Sequence, residues 1–201
     1  MIVDCHTHVI WYPDHIGERT AEEALASKLV KLKRSGGEAY KAQLDKHSYD
    51  AKPEDHWKAS ATADKVVVFG LQAKAVNIWV PNEVIADYVK QHPEKLEGWA
   101  SVDPNEPDCV EQFEHCVKGL GLKGLKLGPV YQHFDPQDRK HWPLFKKCEQ
   151  LGLPIMWHQG TTFPSRSKLN WGLPLQLEDI AMDFPDLKMI IAHLGHPWEQ
   201  D

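Results

Sequence analysis

The chain has 201 residues, 42% of them hydrophobic and 26% charged, a composition that supports one substantial folded core and excludes disorder as the main state. The formal net charge of −6, with basic residues scattered along the chain, argues against a nucleic-acid partner. No stretch approaches the roughly 20 consecutive apolar residues of a membrane helix, and Met1-Ile2-Val3-Asp4 lacks a leader pattern, so no membrane partner and a cytoplasmic location are expected.

In chain order, the first apolar run, Met1–Cys5, predicts a buried strand that ends in Asp4-Cys5-His6-Thr7-His8. About 60 residues follow before the next run, and this stretch, about 11–62, reads as an insertion. Its helix formers Ala21–Lys33 are interrupted by Gly36-Gly37 and Pro53, which predicts a partly helical excursion rather than a second domain. The remaining strands are expected at Lys65–Phe69, Leu96–Val102, Leu122–Leu127, Pro154–Trp157 and Lys188–Ala192. Between them, apolar residues at helical spacing predict helices over Asn82–Gln91, Cys109–Leu120, Trp142–Leu151 and Leu175–Asp183.

From the second strand onward the strand starts recur every 26 to 34 residues, the length of one strand, one helix and two loops. The implied fold class is α/β: a (β/α)8 barrel of TIM type, in one domain spanning 1–201, with parallel strands joined by helices. Such a barrel takes about 250 residues, so the last two βα units are expected to be missing from this chain, which suggests truncation. The four cysteines form no CxxC pair and are read as free thiols.

Period-two alternation points His6 and His8 to one side of the first strand and Thr7 to the other. Two imidazoles converging at a strand end suit a metal ion. The expected fifth and sixth strands also end in histidine, at Met156-Trp157-His158 and Ile191-Ala192-His193. Barrel enzymes build their sites from residues at the C-terminal ends of several strands, which gives four such histidines a common place.

With these motifs on the page, the chain resembles the amidohydrolase-related family, which includes metal-dependent hydrolases and aminocarboxymuconate semialdehyde decarboxylase-like enzymes. The likeness rests on Asp4–His8, on Gly121-Leu122-Lys123-Gly124-Leu125-Lys126-Leu127, on His158-Gln159-Gly160-Thr161-Thr162 and on His193-Leu194-Gly195-His196-Pro197-Trp198. The resemblance implies that His6, His8 and His158 hold a divalent transition metal, usually Zn²⁺. It also implies that His193 acts beside the metal as general acid/base or as a further ligand. A family aspartate from the eighth strand would complete the set and lies beyond this sequence.

The leading expectation is a hydrolase that acts on a small carbonyl-containing molecule through a metal-activated water. A non-oxidative decarboxylase of a carboxylated ring or unsaturated acid is the alternative, because it requires nearly the same residues. A catalytically inactive barrel fragment is the third reading. Lys126, ending the fourth strand, is expected either to bind an anionic substrate group or to sit solvated or carboxylate-paired at the rim. Asp4 should orient the first strand, and His196 should shape its loop. Trp11, Trp157, Trp171 and Trp198 are candidates for an aromatic pocket or for ordinary packing, and His15, His47, His56, His92, His115, His133 and His141 are read as surface or locally structural. The expected partner is a small molecule, with self-association as a homo-oligomer also open.

Overall fold

A computed structural model describes residues 1–35 and 44–200, so the expected break at Gly36-Gly37 lies outside the described residues. The elements run β1 (Val3–His8), α1 (Glu18–Arg34), α2 (Pro53–Ala59), β2 (Lys65–Phe69), β3 (Gln72–Ala73), β4 (Ile78–Trp79), α3 (Asn82–Gln91), β5 (Leu96–Ser101), α4 (Cys109–Lys118), β6 (Leu125–Leu127), α5 (Pro129–Gln132), α6 (Trp142–Gln150), β7 (Ile155–His158), α7 (Glu178–Asp183) and β8 (Met189–Ala192). The six strands expected from sequence are β1, β2, β5, β6, β7 and β8, and they form one sheet in that order with every adjacent pair parallel. Each helical connection therefore returns the chain to start the next strand in the same direction, as βα units require.

Local chemistry sets most element ends. Proline begins α2, with Glu54 and Asp55 in its first turn where the helix dipole favours acids. Beyond α4, Gly121 adopts φ +75°, a left-handed conformation that lets the chain leave the helix for the next strand. The fourth strand starts at Leu125 rather than at the expected Leu122, and α7 starts at Glu178 rather than Leu175 because Pro174–Leu177 forms a separate 3₁₀ turn. The helices α1 and α2 fall in the stretch expected to be partly helical, whereas the antiparallel ribbon of β3 and β4 and the four-residue α5 were not expected; two-residue strands and a one-turn helix are too short to show a periodicity.

The two faces of the sheet carry different cores. Val66, Val68, Leu125, Leu127, Ile155 and Trp157 point to the helix layer and meet Ile85, Phe113, Leu144 and Phe145. Phe69, Trp99, Met156 and Ala192 point to the interior face. Trp157 is thus a core residue, packed edge-on against Phe145 with ring centroids 5.1 Å apart, a pairing worth about 0.5–1.5 kcal/mol beyond its buried area. All four cysteines are free. Among the described residues no helix is long and apolar enough to cross a membrane.

Among the described residues, β1 and β8 each have only one sheet neighbour. Ile2 and Val3 beside one edge are 61% and 50% exposed, and Ile190 and Ile191 on the other are 37% and 40% exposed. Unpaired apolar edges recruit further strands. Sedimentation equilibrium of the 201-residue chain should therefore show mass rising above the monomer with concentration; a monomer at all concentrations would show that these edges do not pair.

Candidate active site

The expected site residues meet at the C-terminal ends of the parallel strands. β1 carries a bulge: Asp4 pairs with Val66 and Thr7 with Val68, so one extra residue lies between them on β1. Pairing resumes at Thr7 and His8, and His6, within the bulged stretch, shares the interior face with His8, their Nε2 atoms 3.3 Å apart. The His6 backbone N–H donates to Asp4 Oδ1 at 3.3 Å. His158 is the last residue of β7 and is buried. His193 falls just past β8, in a short turn at φ +60°, rather than on the strand itself. Its ring centroid lies 4.8 Å from that of His6 and 4.8 Å from that of His158, so it sits between them.

Lys126 occupies the interior face of β6, between the helix-facing Leu125 and Leu127. It is 1% exposed, with Nζ 3.4 Å from His6 Nε2 and 5.2 Å from the centroid of Phe69. A solvated lysine at the rim is therefore ruled out, and no carboxylate among the described residues forms an ion pair with it. Loss of hydration brings its pKa down to about 7. Burial, reinforced by the charge of Lys126, lowers His6 and His158 to about 3 and moves His8 well below its ordinary value. The three rings are thus neutral at physiological pH, the form that offers nitrogen lone pairs. His158 Nε2 lies 3.0 Å from the Thr161 carbonyl, which can only accept; the proton is on Nε2 and the free lone pair on Nδ1.

These groups open into a cavity of about 690 Å³. One wall is α1, whose Ala24, Ser27 and Lys31 share a helix face; another is the segment after β7 with Thr161, Thr162 and Phe163. Tyr131 on α5 meets His158 edge-on at 4.9 Å and Phe163 at 5.6 Å, and Tyr49 lies 6.1 Å from Phe163. The aromatic wall is therefore Tyr49, Tyr131 and Phe163, while Trp11, Trp157, Trp171 and Trp198 are absent from the lining. Tyr131 and Phe163 each follow a strand end within a few residues, a placement that could have marked them. His196 also reaches the cavity, and its carbonyl accepts the Thr161 N–H at 3.0 Å. Gly160, at φ +109°, allows this approach, since a Cβ there would lie 2.4 Å from the His196 oxygen. Of the histidines expected at the surface or in local structural roles, His15, His56 and His141 are buried.

Two nitrogens bound tetrahedrally at about 2.0–2.1 Å from one ion stand about 3.3–3.4 Å apart, so the His6–His8 separation suits a shared divalent ion. Neutral, enclosed imidazoles are the donors such an ion prefers. Among the described residues no group of three His, Cys, Asp or Glu side chains is arranged to close on one ion. The fit is thus carried by the His6–His8 pair and by the chemistry of the neighbouring rings.

The chain matches the family model described as Amidohydrolase over residues 3–201. It is similar to a 2-amino-3-carboxymuconate-6-semialdehyde decarboxylase from Dictyostelium discoideum, 27% identical over an alignment of 130 positions that covers 57% of this chain and 36% of that protein. In structure it is similar to an uncharacterized TIM-barrel protein from Bordetella bronchiseptica (TM-score 0.71, 18% identity, 99% of this chain and 69% of that one). It also resembles a 5-carboxyvanillate decarboxylase from Novosphingobium aromaticivorans with bound manganese (TM-score 0.63, 14% identity, 97% of this chain and 66% of that one). At these identities the structural likenesses bear on fold, and they identify the six-stranded parallel sheet as part of a TIM-type barrel.

Proposed function

The chain belongs to the amidohydrolase family, and from that premise we propose that it serves a metal-dependent, non-oxidative decarboxylation of a small carboxylated ring or unsaturated acid. The observation that carries this reading is the charge of the cavity: its lining includes Lys31 and Lys126 and not one Asp or Glu among the described residues. Such a cavity attracts a carboxylate and presents no like charge to repel it. The aromatic wall of Tyr49, Tyr131 and Phe163 offers ring faces and edges to an unsaturated, planar body on that carboxylate. The decarboxylases among the similar proteins favour the same reaction over the hydrolysis that sequence placed first.

In this reading His6, His8 and His158 hold a divalent ion, zinc or, as in the Novosphingobium enzyme, manganese. When bound, the ion supplies positive charge that anchors a substrate oxygen and withdraws electron density from it. Lys126 faces the carboxylate from the cavity floor. His193 delivers a proton to the carbon that bears the carboxylate; the carbon–carboxylate bond then breaks, its electron pair restores the unsaturation, and carbon dioxide leaves.

The test is the product. Metal-reconstituted protein, incubated in deuterium oxide with a panel of hydroxybenzoates and unsaturated dicarboxylates, should release carbon dioxide and place one deuterium where the carboxylate stood. A product that gains oxygen from labelled water, with its carboxylate retained, would establish hydrolysis instead.

A further inference from the structure

Thr7 lies between the two histidines of β1 and turns its side chain to the opposite face, where a buried hydrogen-bond chain receives it. Its Oγ1 donates to the Val67 carbonyl at 2.7 Å. Having used its proton there, the hydroxyl offers a lone pair to His56 Nε2 at 2.8 Å, so Nε2 carries the proton of the His56 ring. The other ring nitrogen, Nδ1, must then accept, and the Tyr88 hydroxyl donates to it at 2.9 Å. His56 is on α2 and Tyr88 on α3, and both are buried. Every donor in the chain has one acceptor, and the arrangement permits a single tautomer of His56.

Resting on the reading of His6 and His8 as metal ligands, we infer that the Thr7–His56–Tyr88 chain is a positioning device for that pair. The bulge between Asp4 and Thr7 includes His6, which has no ladder partner of its own, so the pairing of Thr7 and His8 with β2 does not by itself define how the strand is rotated at His6. Two bonds to Thr7 Oγ1, one from the neighbouring strand and one from α2, hold the residue that joins them. With the Thr7 side chain held on the helix side, the imidazoles of His6 and His8 leave on the cavity side at a fixed angle, with their Nε2 atoms 3.3 Å apart. The stretch between β1 and β2 thus contributes twice: α1 walls the cavity, and α2 supports the strand from behind.

The experiment is a chelator-competition titration of Mn²⁺ and Zn²⁺ on the full chain, run beside thermal unfolding of the metal-free protein. Thr7→Val keeps the shape and removes the hydroxyl, and His56→Asn removes the group at the Nε2 position; both should bind metal about 10- to 100-fold more weakly, the scale on which groups behind metal ligands act. Thr7→Ser restores the hydroxyl, and His56→Gln places an amide N–H near the position of Nε2; both should bind close to the wild-type affinity, even where their unfolding temperatures fall. If all four variants bind as wild type does and differ only in unfolding temperature, the chain is structural and the inference is overturned. If the wild-type chain itself takes up neither metal, the ligand assignment fails and the inference fails with it.

Discussion

Replacing His6 and His8 together by alanine is expected to reduce bound metal from about one ion per chain to background in elemental analysis. The two Nε2 atoms already stand at the separation of a shared ion, and burial keeps both rings neutral. Their removal leaves His158, whose Nε2 is engaged by Thr161, and one imidazole holds a divalent ion weakly. The double variant should still fold, because both rings face the cavity rather than the helix-side core. Full occupancy in a folded double variant would place the metal elsewhere.

Replacing His193 by asparagine is expected to lower turnover by at least about 10²-fold while metal content stays near the wild-type level, the scale of a lost general acid. Asparagine is a fair probe for a local reason. His193 adopts φ +60°, and asparagine is one of the few residues that tolerates the left-handed region, so the turn survives. The ring that disappears sits 4.8 Å by centroid from both His6 and His158, where a proton can be passed to a substrate carbon beside the metal. A collapse of metal content with turnover per bound ion preserved would instead make His193 a ligand.

Much of this was legible in the sequence because it depends on near neighbours. Alternation along a strand placed His6 and His8 on one face and Thr7 on the other, whatever surrounds them, and the structure keeps that arrangement even though the bulge of β1 includes His6. Apolar spacing marked the helices whose inner faces became the core. The positions of His158 and His193 at strand ends pointed to a common mouth, as parallel βα repetition requires.

Other properties arise only when distant segments meet. Lys126 could be read from sequence as a rim lysine; register beside Ser101 and Met156 buries it and lowers its pKa, because desolvation depends on everything packed around a charge. The aromatic wall joins Tyr49, Tyr131 and Phe163 from three segments with no shared periodicity, and Trp157, a candidate for that wall, was turned outward by the same alternation that turned His158 inward. His56, one of many unremarkable histidines in the sequence, acquires its single tautomer and its place behind the metal pair from Thr7 and Tyr88, 49 and 32 residues away. Local pattern determines which way a side chain leaves the backbone, and only the folded chain determines what it meets there.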